Sequence, residues 1–176
     1  TEDREKDGFY TVIGGHGIHE VVVDTPEHLQ AIHDFTIQHL FNVLKVIRDR
    51  YDAIYSDNDI KYVQVFKNCG PDSGASIMHS HWQLIGVPII PREQTSISLR
   101  IDKYKEDTGR CIICDMIDYE REKGIRIIEE TPNFISYSPF ASRMSYESDI
   151  AVKSHIRSFG GFNDDMVYEL AAISLS

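Results

Sequence analysis

The sequence lacks any long apolar run. Nowhere in its 176 residues is there the stretch of roughly 18 apolar residues that a transmembrane helix needs, so no membrane partner is expected. It also lacks a basic surplus. Lys and Arg number 18 against 28 Asp and Glu, a formal net charge of -10. That argues against binding to a nucleic-acid backbone and leaves open a nucleotide held in a local pocket. The start, Thr1-Glu2-Asp3-Arg4-Glu5-Lys6-Asp7, is charged and has none of the apolar core of a signal peptide, so the expected location is the cytoplasm. Cysteine is scarce and odd in number: Cys69, Cys111 and Cys114. A disulfide framework is therefore not expected. Two of the three form Cys-x-x-Cys, which leaves metal binding, redox chemistry and simple burial among apolar neighbours to decide between.

What is present suffices for a folded domain. Hydrophobic residues make up 41% and charged residues 26%, values of an ordinary globular chain, and the length suits one domain or one and a half. His19-Glu20-Val21-Val22-Val23-Asp24 reads as a strand. Thr25-Pro26 reads as a helix start, and Leu29, Ile32, Phe35, Leu40, Val43, Leu44 and Ile47 recur at helical spacing, predicting a long amphipathic helix from Glu27 to about Tyr51. Residues 62–67 and 79–90 read as strands, with a loop of small and turn-forming residues over 68–78. Residues 91–109, polar and aperiodic, read as a linker. A short helix is expected over 115–122, strands over 133–138 and 149–153, and a helix over 163–175 with Asn163 as N-cap. Glu129-Glu130 reads as a solvated turn. A weak repeat relates the strand that ends near His28 to the one that ends near His155.

The chemistry concentrates in Asn68-Cys69-Gly70-Pro71-Asp72-Ser73-Gly74-Ala75-Ser76-Ile77-Met78-His79-Ser80-His81-Trp82-Gln83. On a strand, His79, His81 and Gln83 fall on one face, because side chains alternate with period two. Three polar residues on one face of an otherwise apolar strand are poor core packing. The small-residue loop upstream offers clustered backbone N–H groups, a natural cradle for phosphate oxygens. A neutral imidazole beside such donors is a competent nucleophile toward phosphorus.

Asn68-x-Gly70, Gly74-Ala75-Ser76 and His79-x-His81-x-Gln83 together resemble the active-site signature of the galactose-1-phosphate uridylyltransferase family, in the histidine-triad superfamily. Proteins like ADP-glucose phosphorylase are similar too. The segment His19 to His28 resembles the stretch before that family's long helix. The resemblance implies that His81 forms a covalent nucleotidyl-histidine and that Gln83 contacts the phosphate at the reacting centre. It implies that Asn68, Gly74, Ala75 and Ser76 line the nucleotide phosphate site, and that His28 and His79 are zinc ligands. Two residues depart from the uridylyltransferase pattern: Ser80 stands where Pro is usual, and Trp82 where Gly or Ser is usual. Both adjoin the nucleophile and leave substrate identity open.

The resemblance extends to metal. Cys111 and Cys114 look like the opening of a second structural zinc site, with His155 matching His28 through the repeat. No cysteine precedes Cys69 to complete the first site, and a missing N-terminal segment is expected. The implied fold is α+β: a histidine-triad-like antiparallel sheet with a long packed helix, one near-complete unit over 1–95 and the start of a second over 96–176. The implied function is movement of a nucleoside monophosphate between a nucleotide sugar and a sugar phosphate or phosphate, in a chain that can pair as a homodimer. The alternatives are a nucleotide hydrolase of the same superfamily, which usually carries a third His where Gln83 stands, and a non-catalytic zinc-stabilised nucleotide-binding module.

Overall fold

The computed structural model describes residues 4–28, 30–70, 73–75 and 77–176. Thr1 to Asp3 of the charged start, Leu29 of the expected first helix, Pro71 and Asp72 of the loop, and Ser76 of the expected nucleotide site lie outside the described residues. The fold is α+β, as the sequence implies, with its strands in three antiparallel sheets. Strands β1 (Arg4–Asp7) and β2 (Tyr10–Ile13) form a hairpin that the sequence reading does not anticipate. The remaining elements fall into two compact units. One gathers the residues up to Asp34 with Val46–Arg92, the other Phe35–Lys45 with Glu93–Ser176.

In the first unit β3 (Ile18–Val23), β4 (Tyr62–Phe66) and β5 (His81–Val87) form a sheet with β5 in the middle. Helix α1 (Ile37–Tyr55) contributes Ile47 and Ile54, each 1% exposed, to the core, and Leu84 of β5 is fully buried. Burying such side chains contributes about 1.5–3 kcal/mol each. The helix approaches the sheet closely at Gly86, where an added Cβ would meet Ile54 Cγ2 at 2.5 Å and Ile60 Cγ2 at 3.3 Å.

The second unit is built around β7 (Phe134–Tyr137), flanked by β6 (Ile127–Glu130) and β8 (Asp149–Val152), with all four β7 residues buried. Alternation splits them between two small cores. Ile135 and Tyr137 pack with Ile117 of α3 (Ile112–Lys123), and Phe134 packs with Met166 and Ile173 of α4 (Asp164–Ile173). Asn163 caps α4 as expected, its Oδ1 accepting from Met166 N at 2.9 Å.

Several expectations are corrected. The first long helix starts at Ile37, not Glu27, after a 3-10 turn at Ile32–Asp34. Thr25 spends its hydroxyl on the turn, accepting from Glu27 N and donating to Gln30 Oε1. Thr36 caps the helix instead, accepting from His39 N. Residues 91–109 are no linker but helix α2 (Arg92–Thr108), which buries none of its residues. Its apolar stripe is thin, with Ile97, Ile101 and Tyr104 at helical spacing among mostly polar residues. Good helix formers and the Lys103–Asp107 pair at i,i+4 support it. Gly109, at φ +73°, ends it. Glu129 and Glu130 lie in β6 rather than a turn, with Glu130 paired to Arg121 and Lys153. The third strand begins at His81, so His79 precedes it.

Candidate active site

Register places His81 at the mouth of β5, opposite Val23 of β3, and Gln83 opposite Val21 and Phe66. His81 and Gln83 share a face by alternation. His79 does not join them on the strand. It sits two residues earlier, and its carbonyl oxygen accepts from His81 Nδ1 at 2.7 Å. A carbonyl can only accept, so Nδ1 carries the proton and a neutral His81 keeps its lone pair on Nε2. His81 as a residue is 4% exposed, which limits its access to water.

His79 is fixed in the same manner with the nitrogens exchanged. Its Nε2 donates to the Thr25 carbonyl at 2.7 Å, leaving Nδ1 turned to His28 Nδ1 at 3.2 Å. Two imidazole nitrogens on one tetrahedral zinc lie about 3.3 Å apart. A ligand histidine held through its other nitrogen by a carbonyl is the usual outer-shell arrangement. The pair therefore fits the ligand role implied for it.

Ahead of the histidines the backbone enters the left-handed region at Gly70 (φ +83°) and Gly74 (φ +81°), which favours glycine at both. Asn68 reaches Gly74, its Nδ2 lying 3.9 Å from where a Cβ would stand. Asn68, Ala75 and His79 also line one cavity of about 240 Å³ together with Lys67 and Ser80. The structure thus brings Asn68, Gly74 and Ala75 into one neighbourhood. Gln83 is tethered from β3, where His19 Nε2 lies 3.1 Å from Gln83 Oε1. With the amide oxygen occupied, what Gln83 has left to offer is N–H.

In the second unit Cys111, Cys114 and His155 present ligand atoms that all lie within 4.8 Å of one another, with Cys114 Sγ 3.7 Å from His155 Nδ1. Cys111 is the N-cap of α3. The backbone N–H of Cys114 lowers the Cys111 thiol, while burial raises that of Cys114. A lowered thiol at a helix start suits a thiolate ligand. Three donors of this kind fit zinc. The other three-donor cluster among the described residues, His16 with Asp57 and Asp59, is surface-placed and mostly exposed.

Sequence reasoning missed four participants: His19, Asp24, Thr25 and Lys67. Thr25 acts through its carbonyl, which no side-chain pattern reveals. Lys67 left a signal, because it continues the Val63, Val65 alternation where an apolar residue is expected.

Comparison with known proteins follows the same lines. Residues 7–90 match the family described as "Domain of unknown function (DUF4931) N-terminal domain". The chain is 32% identical to ADP-glucose phosphorylase of Arabidopsis thaliana over 169 residues, covering 94% of this chain and 46% of the relative. It is 29% identical to galactose-1-phosphate uridylyltransferase of Thermotoga maritima, covering 89% and 49%. The crystal structure of an ADP-glucose phosphorylase from Arabidopsis thaliana with bound ADP-glucose superposes with a TM-score of 0.85 at 30% identity, over 93% of this chain and 51% of that one. The chain spans about half the length of the curated relatives it matches. In sequence and in fold it is a homologue of galactose-1-phosphate uridylyltransferases and of ADP-glucose phosphorylase.

Proposed function

We propose that the chain carries the nucleotidyl-transfer site of an enzyme that moves a nucleoside monophosphate between a nucleotide sugar and a sugar phosphate or phosphate. The observation that carries this reading is the bond from His81 Nδ1 to the His79 carbonyl, which keeps the Nε2 lone pair available for attack. Nε2 forms a bond to the α-phosphorus, the bond from that phosphorus to the sugar phosphate breaks, and the sugar phosphate leaves with the electron pair. The proton stays on Nδ1, hydrogen-bonded to the His79 carbonyl, which stabilises the positive charge gained by the ring. A phosphate oxygen of the acceptor then attacks the same phosphorus and Nε2 leaves with its pair, so neither half needs a proton transfer through His81.

Gln83, its oxygen engaged by His19, donates N–H to the phosphate oxygens as charge builds. Asn68, Gly74 and Ala75 form the cradle for the phosphates. Zinc, where bound by Cys111, Cys114 and His155, and by His28 and His79 with further donors, supplies structural order. A nucleotide sugar as donor is supported by the ADP-glucose bound in the similar Arabidopsis protein.

Exchange tests the reading. Incubation with unlabelled ADP-glucose and isotopically labelled glucose 1-phosphate is expected to move label into the nucleotide sugar with no third reactant, as a two-step transfer requires. UDP-glucose is run in parallel. Release of nucleoside monophosphate without exchange would point to the hydrolase reading instead.

A further inference from the structure

One buried cation contacts both residues that flank His81. Lys67, one residue past the end of β4, has a side chain 8% exposed, and its Nζ donates to Asp24 Oδ2 at 2.7 Å on a side chain that is 0% exposed. The same Nζ donates to Ser80 Oγ at 2.5 Å and lies 5.8 Å from the centroid of the Trp82 ring. Ser80 and Trp82 are the two positions where this sequence departs from the uridylyltransferase pattern. The Trp82 side chain leaves β5 on the face opposite His81, so Lys67 meets the strand from behind the nucleophile.

Burying a lysine and an aspartate costs desolvation that their attraction repays only with good geometry, and well-packed apolar residues commonly stabilise a fold as well. What the ion pair adds is fixed placement. Asp24 N also donates to the Ser80 carbonyl at 3.4 Å, and the Thr25 carbonyl holds the His79 ring. The Asp24-Thr25 dipeptide thereby grips residues 79 and 80 through its backbone, and Lys67 adds the side-chain grip on Ser80. Between them these contacts set the direction of the His79 carbonyl, the group that decides which nitrogen of His81 is bare.

We infer that Lys67, anchored by Asp24, is a positioning residue for His81: through Ser80 it holds the His79-Ser80-His81 backbone so that the His79 carbonyl stays on His81 Nδ1. This rests on the transfer reading for its consequence, not for its geometry. Nitrogen-15 NMR of the histidine side chains reads the tautomer of His81 directly in the full chain. Wild type is expected to show a single species with the proton on Nδ1. Ser80→Ala, which removes one hydroxyl and leaves the ion pair intact, is expected to show a mixture of tautomers at an unchanged melting temperature, and Ser80→Thr to restore the single species. Lys67→Met with Asp24→Asn, which removes both charges so that neither is left buried alone, is expected to behave like Ser80→Ala.

At saturating nucleotide sugar, Ser80→Ala is expected to slow adduct formation on His81 about tenfold or more, since small misplacements of reacting groups are costly, with the half-saturating concentration unchanged. A wild-type tautomer in Ser80→Ala would overturn the inference, as would a Ser80→Thr that fails to restore it. A wild-type chain that forms no adduct contradicts the transfer reading alone, and the tautomer spectrum then decides the role of Lys67 by itself.

Discussion

His19 Nε2 lies 3.1 Å from Gln83 Oε1, a cross-strand tie between β3 and β5 that turns the Gln83 amide N–H groups away from His19. Phosphate oxygens only accept hydrogen bonds, so a Gln83 whose oxygen is already engaged is matched to them. Gln83→Glu replaces the donor with a carboxylate beside the phosphates and is expected to lower kcat/KM for nucleotide transfer about 10²–10³-fold. His19→Ala leaves the amide free to flip and is expected to cost only several-fold on the scale of one neutral hydrogen bond. Steady-state kinetics on both variants checks the order. A His19 variant as damaged as the Gln83 variant would contradict the tether role.

Gly86 marks a close approach of α1 to the sheet. An added Cβ would stand 2.5 Å from Ile54 Cγ2, in a core where Ile54 is 1% exposed. Gly86→Ala forces the helix or the isoleucine to shift and is expected to cost about 1–3 kcal/mol, the usual range for overpacking. Denaturant unfolding measures it, and a midpoint equal to wild type would mean that the helix yields freely.

The second-unit cluster makes a prediction about metal. Protein purified without chelator is expected to carry zinc at Cys111, Cys114 and His155, and Cys114→Ser to lose one equivalent by elemental analysis. Removal of that metal is expected to lower the melting temperature, because a structural site contributes its binding energy to the fold. Equal zinc content in wild type and Cys114→Ser would contradict the assignment.

Acid sensitivity follows from Glu20, whose carboxyl is held below its usual 4.5 chiefly by hydrogen bonds from Arg50. A carboxyl with a folded value below its unfolded one stabilises the fold above the unfolded value and loses that contribution as pH falls through the folded one. Arg50→Ala is therefore expected to reduce stability near pH 7 and to flatten its decline below about pH 4.5. Thermal melts across that range provide the check.

Much of this was legible in the residues. The His79-x-His81-x-Gln83 motif, the Asn68 to Ala75 loop and the Cys111-x-x-Cys114 pair could be named because their chemistry sits in short, spaced patterns, and His155 because the repeat matches it to His28. Helix α2 was harder to read, because Ile97, Ile101 and Tyr104 recur at helical spacing but stand among mostly polar residues and none is fully buried, a thin form of the signal by which a helix is usually recognised. The start of α1 was misplaced because Thr25-Pro26 has the composition of a helix cap, while Thr25 Oγ1 closes a turn of its own. The tautomer of His81 was out of reach for another reason: it depends on which main-chain carbonyl the ring meets, and that is decided by the entry of residues 79–81 into β5.

The covalent role of His81 can be weighed directly. Wild-type protein and His81→Ala are mixed separately with ADP-glucose and with UDP-glucose, and the intact mass of each is measured. A gain of one nucleoside monophosphate on the wild type, absent from His81→Ala, is expected with one of the two donors, and the mass names the base. The same gain on both proteins, or on neither although both are folded, would contradict nucleotidyl transfer through His81.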